Sequence, residues 1–560
     1  MLIHRLGFTI LTILIATCCG CHEQPSNPDW VVINAKIWTG DRDRPSAEVL
    51  AVRNGRFTYV GNSEKEARRS TGKKARTLQA NGARIVPGLT DAHVHLLGGG
   101  LQLSRLNLRD APNRSAFIEA VAARAKKTPE GQWILGGRWT TESWPDPTQP
   151  TKRWIDPVTP NHPALLSRMD GHGALANSLA LKRAGIDRHG PSDPTGGEIV
   201  RDPATNEPTG ILRESAIELV RQHIPAPSVQ MKDQALEAAM SEANRHGITC
   251  VHTMSDWSAF SVFDRARKSG RLTLRIRQYV NESDWNRFID KAKKKRNDHW
   301  LSIIGFKQFM DGSLGSRTAY MAEPYADNPP DQPDRRGLLL EVMHTKDKLR
   351  RMCQAAVAAG FGTAIHAIGD QANHLVLNIY ENLQTTSSTR HPCLRIEHAQ
   401  HLLPEDIARF AKLGVVASMQ PLHKADDARY AEQAIGPARC QTSYAFRSLL
   451  DAGAPLAFGS DWPVVSLNPF LGLHAATTGR TLDGAVFVPE QNITIEEALH
   501  AYTTGPAYAV GNHDHHGKIK TGYLADFVIL DKDPFSIAPD AVKQIEASET
   551  YVSGRRVWPK

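Results

Sequence analysis

The sequence predicts a parallel (β/α)8 TIM-type barrel that carries a small composite β-sandwich built from both ends of the chain. Three observations lead to this fold class. Short apolar runs alternate with amphipathic segments through the middle of the chain, which is typical of strands followed by helices. Both ends are rich in β-branched residues and turn signals. Several apolar runs end in an ionisable residue, and parallel barrels place their functional side chains at the C-terminal ends of strands.

The composition is that of a folded globular protein. The 560 residues are 41% hydrophobic and 22% charged, and no charged block is long enough to form a disordered tail. The formal net charge of +8 comes from lysines and arginines scattered along the chain. Their short clusters at 73–76 and 291–296 lack interleaved aromatic residues and any nucleic-acid-binding motif. We therefore predict no nucleic-acid partner.

The first 21 residues have the pattern of an export signal. A basic start at His4 and Arg5 precedes an apolar run, 6–16, that is too short to span a bilayer. Gly20 before Cys21 resembles the cleavage box of bacterial lipoproteins, although a cysteine stands where that box usually carries leucine. We expect an exported bacterial protein, periplasmic or anchored to the membrane through lipidated Cys21. Ordinary signal cleavage and an uncleaved start are the alternatives.

Strand-like segments occupy both ends of the mature chain. They lie at 31–39, 49–52, 525–530 and 549–557. The Asn54-Gly55 pair is a strong signal for a two-residue hairpin between two of the N-terminal strands. We interpret residues 29–83 and 511–560 as the two parts of one discontinuous β-sandwich.

The middle of the chain, residues 84–510, contains eight apolar runs that we assign to barrel strands. They lie at 84–95, 248–252, 272–280, 303–310, 363–366, 394–398, 415–419 and 456–459. Helical periodicity follows most of them, at 116–127, 231–246, 347–359, 372–383, 404–413 and 495–502. Residues 131–215 interrupt the alternation and contain a predicted hairpin between 196–200 and 209–212. We interpret this segment as an insertion on the face where barrel active sites lie.

Ionisable side chains recur at the ends of these predicted strands. His93 and His95 are two residues apart on one strand and therefore share a face. Later runs end in, or lead directly into, Lys307 with nearby Asp311, His366, His398 and Asp461. Imidazoles and a carboxylate are ligands for a divalent cation. Each histidine alone fits a core or surface role better, so it is their joint placement that predicts a metal site.

These residues stand in motifs that resemble the amidohydrolase superfamily of metal-dependent hydrolases. More narrowly, the chain resembles amidohydrolase family 3, the branch that includes N-substituted formamide deformylase. The motifs are PGLTDAHVH at 87–95, KQFMDGSLGSRTA at 307–319, IEHAQ at 396–400, FGSDWP at 458–463 and GYLAD at 522–526. They span nearly the whole chain after the leader. The resemblance implies a barrel with a composite β-sandwich.

The resemblance also implies a ligand set. His93, His95 and Asp461 would hold one divalent ion, and His366 and His398 a second. Zinc is the first choice for both ions, with iron and manganese as alternatives.

Lys307 is the unusual member of this set, because an ammonium has no lone pair to donate. In related two-metal members, the lysine at this place is carboxylated and bridges the ions. Phe306 and Phe309 flank Lys307 and would solvate a bare ammonium poorly. The alternative is an unmodified lysine that snorkels or pairs with Asp311.

The reaction implied is hydrolysis of a non-peptide carbon–nitrogen bond by a metal-activated hydroxide. The bond would be that of an N-formyl, N-acyl or cyclic amide in a small molecule, and Asp461 would accept the proton of the water and pass it to the leaving nitrogen. The alternatives are hydrolysis of an ester, lactone or phosphoester, and a catalytically silent binding or regulatory relative. A homo-oligomer is compatible with this interpretation.

Candidate substrate contacts lie in the loops. The Asp170-Gly171-His172 stretch matches a family stretch, and His172 would hold the substrate or its developing oxyanion. Arg317 would pair with an anionic substrate group. Trp139, Trp144 and Trp462 would form an aromatic wall. Loop packing is an equally good interpretation for all five residues.

Overall fold

In the computed structural model, the residues described are 29–559 without 142–143, 169–172, 195–196, 282–284, 295–297, 340–346 and 386–393. The predicted export signal, Cys21 and His172 lie outside these residues. Among the described residues, no helix combines the length and the apolar character needed to cross a bilayer.

Eight parallel strands form the centre of the described structure and neighbour one another in chain order. They are β1 (Leu89–Val94), β2 (Ile248–Ser255), β3 (Arg275–Asn281), β4 (Leu301–Phe309), β5 (Gly362–Ala367), β6 (Leu394–His398), β7 (Val416–Met419) and β8 (Leu456–Phe458). The sheet closes where the chain leaves β8, because the Asp461 amide donates to the His93 carbonyl at 2.7 Å and the His95 amide donates to the Trp462 carbonyl at 2.8 Å. The predicted barrel is confirmed.

Most of the helices cover the outer face of the barrel, and the others pack on the insertion and on the composite domain. The helices are Glu64–Ser70, Leu96–Leu103, Arg114–Lys127, Lys152–Ile155, Ser178–Arg183, Ala216–Arg221, Val229–Arg245, Trp257–Lys268, Trp285–Lys293, Lys348–Ala358, Asp370–Thr385, Pro404–Leu413, Pro421–Ile435, Pro437–Cys440, Phe446–Asp451, Pro469–Thr478, Ile495–Ala501 and Thr504–Ala509, with short 3-10 turns at Asp156–Val158, Pro489–Gln491 and Pro539–Gln544. The apolar faces of the helices that cover the barrel and the outward-facing residues of its strands form one large core.

The predicted composite domain consists of two sheets. One sheet has strand order Arg56–Gly61, Val49–Arg53, Trp30–Ile33 and Arg76–Gln79, and the other has Arg555–Trp558, Ala547–Val552, Phe527–Leu530, Arg84–Pro87, Lys36–Trp38 and Ser46–Ala47. The second sheet contains strands from both ends of the chain. Its side chains alternate, so that Phe527 and Ile529 pack inside the sandwich while Val528 and Leu530 join the barrel core.

The apolar run expected to be the first barrel strand is divided in two. Arg84–Pro87 pairs with Phe527–Leu530 in the composite sheet, and the barrel begins only at Leu89. Gly88 makes the transition, where a Cβ would come within 2.2 Å of the Thr249 hydroxyl. The composite domain therefore extends to Pro87, beyond the boundary predicted at 83.

The insertion is larger than the predicted 131–215. Its six-stranded sheet has the order Gly197–Arg201, Pro208–Glu214, Gly173–Ala176, Ala164–Arg168, Ile134–Trp139 and Leu106–Asn107. Helix Arg114–Lys127, expected to cover the barrel, instead packs its apolar face on this sheet. The predicted hairpin is present as the antiparallel pair Gly197–Arg201 and Pro208–Glu214.

Candidate metal centre

His93 lies at the end of β1 with its ring orientation fixed by a buried carboxylate. Its Nδ1 donates to Glu397 Oε2 at 2.6 Å, and Glu397 forms an ion pair with Arg395 at 2.8 Å. All three side chains are fully buried. Because Nδ1 carries the proton, the lone pair of His93 is on Nε2, which is the arrangement found in metal sites with a supporting carboxylate.

Two further histidines are oriented in the same way. Nδ1 of His95 donates to the Met254 carbonyl at 3.1 Å, and Nδ1 of His398 donates to Gln420 Oε1 at 2.8 Å. Each of these rings therefore presents Nε2 as a potential ligand atom.

Asp461, which follows β8, brings these histidines together. Its Oδ1 lies 3.1 Å from His95 Nε2 and 3.5 Å from His93 Nε2, and its Oδ2 lies 4.0 Å from His423 Nε2. Two groups result, His93–His95–Asp461 and His398–His423–Asp461, and within each group the ligand atoms lie within 4.8 Å of one another. Asp461 belongs to both groups.

The donor set fits a divalent cation. Nε2 of His93 is buried and has no hydrogen-bonding partner among the described residues. Buried polar atoms are normally satisfied, so partnerless nitrogens beside a carboxylate indicate a missing positive or polar partner. Burial, helped by the charge of Lys307, lowers the pKa of His93 to about 4, so its ring is neutral at neutral pH, as metal binding requires.

Asp461 remains ionised in this environment. Burial alone would raise the pKa of its carboxyl group, but the surrounding rings of His93, His95, His398 and His423 hold that pKa well below its ordinary value. Its backbone has φ of +59°, a left-handed conformation that is uncommon for residues other than glycine. His398 shares this feature with φ of +75°, so the backbone is strained at two of the predicted ligands.

Lys307 and His366 lie beside these two groups. The ring of His366 is 4.4 Å from that of His398, and its Nε2 donates to the Gly312 carbonyl at 3.0 Å, which leaves Nδ1 as its lone-pair nitrogen. Lys307 is 2% exposed, and its Nζ lies 4.6 Å from the centre of the Phe309 ring. Among the described residues, no carboxylate oxygen lies within 4 Å of that Nζ. Burial lowers the pKa of Lys307 to about 8, against the attraction of Glu397 and Asp461.

The aspartates of two sequence motifs anchor the backbone around the site. Asp91 accepts hydrogen bonds from the amides of His93 and Ser460 and so ties β1 to the segment after β8. Asp311 accepts from the amides of Tyr320, Ile368 and Gly369. Asp311 is therefore committed to the backbone, and Lys307 does not pair with it.

Trp139, Trp144 and Arg317, which were predicted to contact the substrate, have other roles in the structure. Trp139 is 1% exposed, packs in the core of the insertion and donates to the Leu166 carbonyl at 3.0 Å. Trp144 lies in the same core and donates to the Ala111 carbonyl at 2.7 Å. Neither ring forms the expected wall, because the insertion has its own hydrophobic core to fill.

Arg317 is likewise committed to its own loop. Its guanidinium binds Asp327 at 2.9 and 2.5 Å and the Leu314 carbonyl at 2.8 Å. Asp327 thereby raises the pKa of Arg317. The structure therefore gives Arg317 a loop-anchoring role rather than the predicted contact with an anionic substrate group.

Trp462, the residue after Asp461, does border a cleft. The cleft encloses about 600 Å³ between the loop after β8, helix Leu96–Leu103 and the edge of the insertion. Of the five predicted substrate contacts, His172 lies outside the described residues, and of the other four only Trp462 lines the cleft.

His423 is a site residue that sequence reasoning missed. It lies in the first turn of helix Pro421–Ile435, four residues beyond the end of β7. A search limited to strand ends passes over it. The signal that was available is a histidine within Gln420-Pro421-Leu422-His423, directly after a barrel strand, where a helix starts on the catalytic face.

The fold and the site together define a class, the parallel barrels that bind divalent metal through strand-end histidines and a carboxylate. The profile of the amidohydrolase family matches residues 76–558, and the chain belongs to this family. The identification reached from the motifs is confirmed.

Individual relatives extend over nearly the full chain. Protein LONG AFTER FAR-RED 3 of Arabidopsis thaliana is 38% identical, covering 95% of this chain and 92% of its own. The putative amidohydrolase YtcJ of Bacillus subtilis is 31% identical over 94% and 98%, and the N-substituted formamide deformylase of Arthrobacter pascens is 28% identical over 94% and 97%. Among solved structures, an uncharacterised metal-dependent hydrolase from Pyrococcus furiosus has a TM-score of 0.74 at 26% identity, covering 91% of this chain and 100% of its own.

Proposed function

We propose that this protein is a metal-dependent hydrolase of non-peptide carbon–nitrogen bonds in small molecules. The observation that carries the proposal is the group His93, His95 and Asp461, in which the buried Nε2 of His93 has no protein partner among the described residues. The names of two relatives, N-substituted formamide deformylase and imidazolonepropionase, support amide-like substrates.

The residues that would hold the metal follow from their free lone pairs. His93, His95 and Asp461 would hold one ion, and His366 and His398 a second, with Lys307 joining both as a carbamate. A buried amine with no carboxylate oxygen within 4 Å among the described residues fits this modification, in which nitrogen bonds to carbon dioxide and releases one proton. When bound, a divalent ion supplies a nucleophilic water at neutral pH and polarises a carbonyl oxygen.

The proton chemistry belongs to Asp461. Its carboxylate is ionised and lies where the two groups meet, so Oδ2 is available to take a proton from the attacking water and to return it to the departing nitrogen. Burial excludes competing solvent around these atoms.

His423 fits a donor role better than a ligand role. Gln400 Nε2 donates to His423 Nδ1 at 3.5 Å, so the neutral ring carries its proton on Nε2. This N–H is directed toward the Asp461 side of the site, where it would stabilise negative charge developing on the substrate oxygen.

The proposal is tested with metal-loaded protein and a panel of N-formyl, N-acyl and cyclic amides, with matched esters and lactones. We expect turnover of at least one amide class and a fall in kcat of roughly 10²- to 10⁴-fold in Asp461→Asn. Asp514→Asn, an exposed change in the C-terminal part, is the matched control. Protein that binds no divalent ion, or an Asp461→Asn variant that keeps full activity, would refute the proposal. Turnover confined to esters or lactones would show that the enzyme hydrolyses a carbon–oxygen bond instead of a carbon–nitrogen bond.

A further inference from the structure

The cleft beside Trp462 is strongly basic. Four arginines line it, Arg105, Arg109, Arg138 and Arg168, and no aspartate or glutamate occurs among its described lining residues. Among the described residues, no carboxylate oxygen lies within 4 Å of the guanidinium groups of Arg105, Arg109 or Arg138. Elsewhere on this protein, arginines are commonly paired with carboxylates, as Arg84 is with Asp533 and Arg213 with Glu198.

The cleft and the candidate metal centre are built on the same two segments of the chain. Trp462 directly follows Asp461, and helix Leu96–Leu103 begins directly after His95. The two segments are joined by the hydrogen bond from the His95 amide to the Trp462 carbonyl, at 2.8 Å. Residues that line the cleft and residues of the candidate metal centre therefore stand on the same two joined segments.

Arg138 is held in place by an unusual backbone. It occupies a β-bulge between Ile134–Trp139 and Ala164–Arg168, with φ of +65°. Two glycines of positive φ precede it, and a Cβ at Gly137 would come within 2.2 Å of the Ser167 carbonyl oxygen. Bulges turn a side chain in a new direction, and a non-glycine residue in this conformation costs stability. The local sequence therefore places a cation in the cleft at the expense of regular pairing.

We propose that this cleft binds an anionic substituent of the substrate, a carboxylate or phosphate-type group carried at a distance from the bond that is cleaved. Its volume is that of a small-molecule subsite, which typically encloses roughly 300–1,000 Å³. Guanidinium groups recognise both oxyanions through paired N–H donors. This inference rests on the proposed hydrolase function and narrows its substrate class from amides in general to anionic amides.

The kinetic test compares matched formamides. N-formyl-6-aminohexanoate carries the anion, its phosphonate analogue carries a phosphate-type group, and its primary carboxamide is neutral. We expect wild-type kcat/KM to favour one of the anionic compounds over the neutral one by roughly 10- to 100-fold, as for hydrogen bonds to a charged group. This preference should fall at least tenfold in Arg138→Gln and in Arg109→Gln, the second of which changes an exposed residue without backbone strain. The anionic compound whose kcat/KM falls more in these variants carries the preferred oxyanion.

Arg53→Gln is the matched control, because Arg53 is exposed on a strand of the composite domain away from the cleft. It should keep the wild-type preference. Equal turnover of charged and neutral formamides by the wild type, or an unchanged preference in both cleft variants, would overturn the inference while leaving the hydrolase proposal intact.

A binding measurement separates the two proposals. Glutarate and inorganic phosphate are titrated calorimetrically into metal-loaded wild type, Arg138→Gln and Arg53→Gln. An increase in Kd of at least tenfold for either anion in Arg138→Gln only, with the protein inactive on every formamide, would refute the hydrolase function and retain an anion site. Equal Kd values for both anions in all three proteins would show that anions bind only at the metal and would overturn the cleft.

Discussion

At the scale of single residues, the hydrogen-bond acceptor of each histidine ring determines which of its nitrogens faces the candidate site. His93, His95 and His398 all donate through Nδ1 to an acceptor that is not a ligand, and so the three Nε2 lone pairs are fixed before any metal arrives. Such supporting acceptors fix the ring orientation and raise the basicity of the ligand nitrogen.

Gln420 provides an uncharged test of this support. Gln420→Leu removes the acceptor of His398 Nδ1–H without leaving a buried charge, so we expect the metal to bind roughly 10- to 100-fold more weakly. Competition with a chelator measures the change. Gln332→Leu, on an exposed loop, should bind metal as the wild type does, and equal affinities in the two variants would show that Gln420 plays no supporting role.

His423→Asn tests whether His423 is a donor or a ligand. As a donor of its Nε2–H, its loss should lower kcat by roughly 10²- to 10³-fold, as for other oxyanion donors, with the bound metal unchanged. Metal analysis gives the number of bound ions per chain, and turnover assays give kcat. Loss of one ion per chain in this variant would make His423 a ligand and would contradict the donor role.

At the scale of elements, the metal residues depend on how closely β1, β8 and helix Leu96–Leu103 approach one another. A Cβ at Gly99 would come within 2.2 Å of the Trp462 ring, whereas a Cβ at Gly98 would meet nothing closer than 3.8 Å. Gly99 therefore lets the helix lie directly against the segment that carries Asp461.

These neighbouring glycines form a matched pair. We expect Gly99→Ala to displace Trp462, lower the free energy of unfolding by about 1–3 kcal/mol and reduce kcat/KM. Gly98→Ala lies in the same helix and should raise stability by about 0.5–1 kcal/mol with turnover retained. Chemical denaturation and kinetics of both variants check this. Similar behaviour of the two variants would exclude the proposed contact.

The elements also show what the sequence could and could not predict. Barrel strands and their terminal histidines were predictable, because apolar periodicity is local and parallel strands bring their C-terminal ends together. The roles of Trp139 and Arg317 were not, because both depend on which partners a loop folds against. His423 was missed since its placement depends on the angle at which a helix leaves β7. Arg138 was missed since a bulge is set by pairing between distant strands.

At the scale of the whole molecule, a buried ion pair joins the barrel to the composite domain. Arg275, the first residue of β3, binds both carboxylate oxygens of Asp526 at 2.6 and 2.8 Å, and His516 Nε2 lies 3.1 Å from the same carboxylate. This contact gives the last aspartate of the GYLAD motif a structural explanation. The two contacting residues are far apart in sequence, so the motif predicts the family but not this contact.

The ion pair makes stability depend on pH through Asp526. Burial alone would raise the pKa of Asp526, but Arg275 and His516 hold it well below its ordinary value of roughly 3.9. The carboxylate therefore stabilises the folded state fully above that pH, and this contribution is lost as the pH falls below it toward the pKa in the folded protein.

Asp526→Asn leaves Arg275 buried and uncompensated, so we expect it to lower the free energy of unfolding by about 3–5 kcal/mol at pH 7. The difference from the wild type should shrink as the pH is lowered below 4, because protonated aspartate then resembles asparagine. Denaturant unfolding followed by tryptophan fluorescence across this range measures both quantities, with the exposed change Asp514→Asn as control. A difference that stays constant with pH would show that the charge on Asp526 does not hold the two domains together.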